Sequence, residues 1–173
     1  DTDDALSHVV SGMVTAYTTN EVEGAGQAYE KALRINPNFA MAHGFMGGIQ
    51  AIRGDFASAR EHFDLASRLS PRDSSAGMWR ILYNIGLYGA ERYDDVVRGA
   101  DEAIRSNPDH PALYRQRAAA LAMLGRDDEA RDDIKQVFRL IPDNTIKRVS
   151  EMPFWPDIEP FLDGLRKAGL SEE

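Results

Sequence analysis

The sequence predicts an all-α protein, a superhelical solenoid of four two-helix hairpins followed by a capping helix. Four segments of similar spelling each close on a proline, and these prolines, Pro37, Pro71, Pro108 and Pro142, lie 34, 37 and 34 residues apart. A fixed period of this size is typical of solenoid arrays, whose units bury their apolar faces only against their neighbours. No segment of useful length alternates apolar and polar residues as a half-buried strand does.

Each repeat is predicted to contain two helices joined by a short turn. The predicted pairs are 5–18 with 22–35, 39–52 with 56–69, 76–89 with 93–106, and 111–124 with 128–140. Gly54 and Gly125 mark two of the turns, because glycine adopts the positive φ that a helix end often requires. The proline after each second helix prevents that helix from continuing.

These elements divide the chain into five segments. They are repeat one (1–37), repeat two (38–71), repeat three (72–108), repeat four (109–142), and a Pro-rich crossing with a capping helix (143–173). Repeat three carries about three extra residues, which the sequence places either wholly in PRDSS or partly in the turn near GAER. The phase of its first helix is therefore left open by one position.

Repeat two shows how each hairpin is expected to pack. Two antiparallel helices approach closely only where small side chains face each other, so Gly47 and Ala59 are predicted to form the tight crossing of this hairpin. Phe63 fills the gap beside that crossing, and Ala66 keeps the far end of the second helix close to the helix that follows. The spacing of small and bulky residues is thus interpreted as a packing pattern.

The tail is predicted to cover the last hairpin. Prolines interrupt SEMPFWPDIEP, and a short helix then runs to Gly169. The apolar residues Ile158, Phe161, Leu162 and Leu165 fall on one face of that helix. A stack of hairpins ends in an unburied apolar side, so this face, with Phe154 and Trp155, is expected to cover repeat four. The alternative is that part of the tail docks on another domain.

These residues resemble the tetratricopeptide repeat, a helical hairpin with a 34-residue period, a small residue in each helix and a terminal proline. Repeat two matches best, at Gly47, Gly54, Phe56, Ala59, Phe63, Ala66 and Pro71. Repeat four matches at Tyr114, Ala118, Gly125, Ala130 and Pro142. The resemblance implies a right-handed superhelical α-solenoid with a concave groove lined by the first helices, in which a protein or peptide partner binds.

On that mapping the groove residues come from the first helix of each repeat. They are Val10, Val14, Tyr17, Met41, Gly44, Gly48, Ala51, Arg115, Ala119 and Ala122, with either Arg80, Asn84 and Leu87 or Ile81, Ile85 and Tyr88 from repeat three. This small, apolar lining favours an apolar or amphipathic helical segment as ligand, with Arg80 or Arg115 orienting an acidic group. Some family members grip a peptide carboxylate with Lys, Asn and Arg, and the matching places here are Val or Gly, so no such clamp is predicted.

Three alternatives to a peptide groove stay open. The repeat stack could serve only as a spacer. It could form a homodimer through an exposed Trp79 or Tyr88, or through an end face. It could also sense a small ligand in the glycine-rich lining.

A narrower resemblance comes from whole phrases. The phrases are similar to the carboxyl-terminal repeat region of bacterial adenylate/guanylate cyclase-like signalling proteins and of related repeat-bearing transcriptional regulators; they are ALRINPNFAMAH, ASRLSPRD, LGRDDEARDDI and PFWPDIEPFLDGLRKAGLSEE. This resemblance implies a regulatory segment of a larger, cytoplasmic signalling protein, with any cyclase domain upstream of Asp1. The segment itself is expected to have no enzymatic activity.

Composition and motifs favour no chemistry within the segment. The net charge of −8 argues against binding to nucleic acid or anionic lipid, and no apolar run approaches the ~20 residues that span a bilayer. The four histidines show no metal-ligand spacing, although His43 and His62 could meet within one hairpin. GFMGG lies inside a helix and lacks a following Lys, so it is not interpreted as a phosphate loop. No catalytic, cofactor or metal site is predicted.

The paired aspartates are expected to be structural. They are Asp94–Asp95, Asp127–Asp128 and Asp132–Asp133, at the starts or on the outer faces of second helices. Aspartate near a helix start interacts favourably with the helix dipole. These pairs are therefore interpreted as caps and solvated faces.

Overall fold

A computed structural model describes residues 4–19, 21–152 and 157–173. Within these ranges the chain forms ten α-helices and no strand, so the all-α prediction is confirmed. The helices are α1 (Ala5–Thr19), α2 (Val22–Ile35), α3 (Ala40–Ile52), α4 (Phe56–Leu69), α5 (Ala76–Gly89), α6 (Tyr93–Ser106), α7 (Pro111–Met123), α8 (Asp127–Leu140), α9 (Ile146–Ser150) and α10 (Glu159–Ala168). The first eight agree with the predicted bounds to within one residue, whereas α9 was not predicted.

The chain divides into two compact units, and the division falls within α5. The described part of unit one comprises residues 4–19 and 21–86, and that of unit two comprises residues 87–152 and 157–173. In unit one, α1 packs on α2, α2 on α3, and α3 on α4. In unit two, α6 packs on α7, α7 on α8, and α10 on α7, α8 and α9.

The tight crossing of the second hairpin lies where the sequence placed it. A Cβ atom built on Gly47 would lie 3.0 Å from the carbonyl oxygen of Ala59 and 3.4 Å from the backbone nitrogen of Phe63. Ala59 is fully buried, while Phe63 is half-buried with its ring centroid 5.8 Å from that of Tyr83. Because no larger residue fits at Gly47 without moving the α4 backbone, this glycine fixes the distance between α3 and α4.

The α10 helix covers the fourth hairpin with the apolar face predicted for it. Phe161, Leu162 and Leu165 are buried, whereas Ile158 is half-buried. The Phe161 ring lies edge-on to Tyr88, with 5.5 Å between centroids. The backbone N–H of Ile146 at the start of α9 also donates to the carbonyl of Ser171, at 2.8 Å.

The structure describes only part of the predicted tail. Phe154 and Trp155, which were expected to help cover repeat four, lie outside the described residues. Gly169 ends α10 with a φ of 98°, which is the left-handed conformation that glycine adopts without strain. The helix therefore ends at the glycine that the sequence indicated.

Candidate functional site

The glycine-rich face of α3 is a helix–helix contact. A Cβ atom on Gly44 would lie 2.5 Å from Cγ of Trp79, and one on Gly48 would lie 2.5 Å from Cβ of Leu82. The same contact continues to Ala51, whose Cβ would be 2.7 Å from a Cβ on Gly86. Since α5 covers these positions, Gly44, Gly48 and Ala51 are buried and do not line an open groove.

The α5 positions proposed for the groove are also largely covered. Asn84, Leu87, Ile85 and Tyr88 are buried, so neither of the two predicted phases leaves an open row. Arg80 is half-buried, with its guanidinium carbon 4.4 Å from the centroid of the Phe63 ring. Trp79 and Tyr88 were proposed as exposed residues for self-association, but Trp79 is 1% exposed and Tyr88 is 2% exposed, so that expectation was wrong.

The α7 positions are buried within unit two. Arg115, Ala119 and Ala122 lie against neighbouring elements, and a Cβ on Gly164 of α10 would be 3.0 Å from Cβ of Ala119. Arg115 donates from Nη1 to Oδ1 of Asn144 at 2.7 Å. The capping helix α10 therefore occupies the space in front of α7.

An apolar stripe on α1 remains open. Its members recur at steps of four, four and three residues, and each is about half exposed: Leu6 52%, Val10 48%, Val14 54% and Tyr17 43%. Val9, Gly12 and Ala16 on another side of the helix are buried. We call the stripe formed by Leu6, Val10, Val14 and Tyr17 the α1 end face. Val10, Val14 and Tyr17 are groove positions of unit one that stay exposed, whereas Met41, like Arg80, is half-buried.

The packing of the first two hairpins shows which face this is. A Cβ on Gly12 would lie 2.6 Å from the Tyr29 ring on α2, just as one on Gly47 would meet the α4 backbone. When the α1 and α3 sequences are aligned on these two glycines, Val10 is equivalent to Phe45 and Val14 is equivalent to Ile49. In α3, the α1 end face thus corresponds to a face that contains two fully buried residues.

In the second hairpin, α2 covers that face. The Phe45 ring stacks on Tyr29 of α2, with centroids 5.4 Å apart. Ile49 Cγ2 lies 3.3 Å from a Cβ built on Gly26 of α2. The α1 end face is therefore the surface that an additional second helix would cover.

Val10 and Val14 were assigned to the groove because the turns of the first two repeats were predicted to have the same number of residues. Helix α1 ends at Thr19 and α2 begins at Val22, whereas α3 ends at Ile52 and α4 begins at Phe56. One residue fewer rotates the register of α1 by about 100° relative to α3. Leu6 was not predicted as a surface residue of this stripe for the same reason. The shorter turn in repeat one was the sequence feature that could have indicated the rotation of α1.

Each unit also contains a polar cluster. The Nδ1 atoms of His43 and His62 lie 2.8 Å apart, and Nε2 of His43 is 2.9 Å from the carbonyl oxygen of Pro37. Burial and then the neighbouring His43 lower the pKa of His62. Among the described residues, no group of three or more His, Cys, Asp or Glu side chains could hold a metal ion.

The second cluster contains Asp133. The prediction that the Asp132–Asp133 pair lies on a solvated face was wrong for this residue. Asp133 is 4% exposed and accepts two hydrogen bonds from Arg117, at 2.7 and 2.8 Å. Arg117 also pairs with Asp101, and its hydrogen bonds with Asp133 raise the pKa of the guanidinium. Burial raises the pKa of Asp133 against the opposing effect of Arg117. The cluster ties α6, α7 and α8 together.

The described helices give no indication of a membrane span, because none is both long and apolar enough to cross a bilayer.

The sequence comparisons concern the repeats. Residues 15–74 and 85–144 match the tetratricopeptide repeat family. The human Protein O-mannosyl-transferase TMTC1 is 40% identical over 52 residues, which make up 30% of this chain and 6% of that protein. The chain thus spans only a small part of this curated relative.

Solved structures resemble nearly the whole chain at low identity. PilW, described as a widely conserved type IV pilus biogenesis factor, has a TM-score of 0.72 at 15% identity, over 97% of this chain and 74% of PilW. TTC0263, a thermophilic protein of Thermus thermophilus, has 0.65 at 22% identity, over 95% and 89%. YrrB, described as having an unusual peptide-binding site, has 0.56 at 21% identity, over 97% and 86%. At these identities the likeness shows the fold alone.

Proposed function

The chain belongs to the tetratricopeptide repeat family, and from that premise we propose that it is a non-catalytic interaction module whose α1 end face binds an amphipathic helix of a partner protein. The observation that carries this proposal is the exposure of four large apolar residues in one helical stripe. Exposed apolar stripes of this kind are characteristic of protein interaction sites. The description of YrrB as a peptide-binding repeat protein supports the same class of function.

The second hairpin supports a helix as the occupant. There α2 covers the corresponding face of α3, with Tyr29 stacked on Phe45 and Gly26 close to Ile49. A partner helix that presents small and aromatic residues would repeat this packing on Val10 and Val14. Helix-in-groove recognition uses anchors at the same three- and four-residue spacing that the α1 end face shows.

Charge favours a partner helix with basic flanks. Residues 1–30 contain Asp and Glu but neither Lys nor Arg, and Asp4 lies just before the first turn of α1. Lys or Arg beside the apolar stripe of the partner would complement this acidic segment and speed the encounter. The occupant we propose is therefore an amphipathic helix whose apolar face is flanked by basic residues.

A pair of designed helical peptides tests this proposal. Both carry the same leucine stripe at four-, four- and three-residue spacing, and they differ only in Lys or Glu on the flanks. Fluorescence anisotropy should show the Lys peptide binding about 10-fold more tightly at low salt, with the preference falling as salt screens the charges. A Val10→Ser, Val14→Ser double variant should weaken binding of the Lys peptide by a further 10-fold or more, because it removes apolar area from the contact.

Matched control variants distinguish peptide binding at the α1 end face from nonspecific binding to exposed apolar residues. Ile35 and Leu69 are also exposed apolar residues, at 46% and 38%, but they stand at the ends of second helices. Ile35→Ser and Leu69→Ser should leave the affinity unchanged. Equal losses in all variants would show that the peptide binds through nonspecific apolar contact.

Self-association is an outcome of the same test. If a second copy of the chain covers the α1 end face, sedimentation would show a dimer that Val14→Asp converts to a monomer. That result would replace the partner helix with a homodimer. If the unmodified chain and the Val14→Asp variant are both monomers, and the unmodified chain binds the Lys peptide, the proposal is supported.

The context of the module is a separate proposal. Its support is the resemblance of the phrase PFWPDIEPFLDGLRKAGLSEE to repeat regions of bacterial adenylate/guanylate cyclase-like signalling proteins. On that basis the module would be a cytoplasmic regulatory segment whose partner binding acts on another domain of the same protein. The reading frame that contains this sequence tests the proposal, and a frame without a signalling domain would reject it.

A further inference from the structure

Arg115 carries a buried positive charge that no carboxylate of the described residues neutralises. It is 6% exposed, and its Nη1 donates to Oδ1 of Asn144 at 2.7 Å. No carboxylate among the described residues forms an ion pair with it. Arg117, two residues further along α7, is by contrast held by Asp133 and Asp101. Removing a charge from water without an opposite charge is strongly unfavourable, so this difference calls for a physical reason.

Two further polar atoms also lack partners: one belongs to Asn144, which Arg115 contacts, and the other to His110, on which the Arg115 charge acts. Nδ2 of Asn144 and Nδ1 of His110 are buried, and neither forms a hydrogen bond. Asn144 is 2% exposed, and its Nδ2 shares an amide carbon with the oxygen that Arg115 contacts. A buried donor without an acceptor costs about 1–3 kcal/mol. Arg115, Asn144 and His110 thus combine excess positive charge with unused hydrogen-bonding capacity.

We propose that Arg115, Asn144 and His110 form a subsite for a single oxyanion, the carboxylate or phosphate group of a ligand. The guanidinium fork suits two oxygens of one oxyanion, and Nδ2 of Asn144 supplies another donor beside it. His110 precedes the first turn of α7 and contributes its ring nitrogen. This subsite lies in unit two and does not depend on the proposed function of the α1 end face.

The electrostatics of the site supply a specific signature. Burial lowers the pKa of Arg115 to about 10, and burial together with the Arg115 charge lowers the pKa of His110. An oxyanion bound to the guanidinium offsets the charge that acts on His110. Binding should therefore raise the pKa of His110, an effect that a purely structural Arg115–Asn144 hydrogen bond would not produce.

The experiment follows the His110 ring by NMR during pH titrations of the full chain. The probes are inorganic phosphate, acetate, and a short acetylated peptide with either a free or an amidated carboxyl terminus. Chloride at equal ionic strength is the reference. We expect saturable binding of at least one oxyanion with a rise in the pKa of His110. Phosphate and the free-carboxylate peptide distinguish the two possible sources of the group.

The Arg115→Met and Arg98→Met variants decide the assignment. Arg98 is exposed and pairs with Asp95 on α6, so its loss changes the same formal charge away from the site. Arg115→Met should reduce oxyanion affinity at least 10-fold and raise the pKa of His110 without any ligand, whereas Arg98→Met should change neither. Equal responses of both variants, or no saturable oxyanion effect on His110 in the unmodified chain, would overturn the proposal.

Discussion

Substituting Gly44 by Ala tests the tight contact between α3 and α5 in unit one. In an exposed helix this change is favourable by about 1 kcal/mol, because glycine has the larger loss of backbone entropy on folding. Here the new Cβ would lie 2.5 Å from Cγ of Trp79, with two further ring atoms closer still. Carbon atoms are in optimal contact at about 3.5–4.0 Å, so the ring must move by an ångström or more.

The expected result is a net loss of stability. Overpacking a close-packed interior costs about 1–3 kcal/mol, and the obstacle here is a rigid indole that is 1% exposed. Subtracting the gain of about 1 kcal/mol in helix propensity leaves a destabilisation of up to about 2 kcal/mol. Trp79→Leu in the same chain should make the added methyl group much less costly, because the ring that it strikes is gone.

Urea unfolding followed by circular dichroism measures these differences. Gly89→Ala is the control, since Gly89 ends the same α5 helix and a Cβ there meets nothing within 4 Å. The control should match or slightly exceed the stability of the unmodified chain. A Gly44→Ala variant as stable as Gly89→Ala would mean that Trp79 does not lie against Gly44.

Three further predictions concern other contacts. Phe161→Ala should lower the free energy of unfolding by about 3–5 kcal/mol, because it leaves a cavity between α10 and Tyr88; an unchanged urea midpoint would argue against the capping role. Arg117→Met should cost about 3–5 kcal/mol by leaving buried Asp133 unpaired, against about 0–1 kcal/mol for exposed Arg98→Met in the same denaturation assay. The free energy of unfolding should fall from about pH 7 to pH 5, because His62 and His110 both have lowered pKa values when folded and the unfolded chain takes up these protons first. His62→Gln should reduce that slope and leave the part that His110 contributes, and an unchanged slope would contradict the assignment.

The sequence predicted the helices well because their signals are local. Prolines after the second helices and glycines at two turns mark the helix ends, and Gly47 with Ala59 marks the closest approach of α3 and α4. Helix α9 was missed because its five residues are too few for a helical period to be recognised. Its start depends on capping by Thr145, whose side chain accepts a hydrogen bond from the backbone N–H of Arg148.

The exposed surface was harder to predict because it depends on rotation and on neighbours. A difference of one residue between two turns moved Val10 and Val14 from the expected groove to the α1 end face. Gly44 and Gly48 have the composition of a small-residue groove lining, but the same composition also permits two helices to pack closely, as α5 does here. Whether a small-residue face stays open is decided by what the next helix places against it.

The site assigned to α1 can be tested most directly by methyl NMR of the full chain during titration with the Lys-flanked peptide. If the peptide binds the α1 end face, the methyl signals of Val10, Val14 and Leu6 should shift in proportion to peptide bound, while those of buried Val96 and Val137 stay unchanged. Shifts confined to other parts of the chain, with the three α1 residues unaffected at saturation, would contradict it.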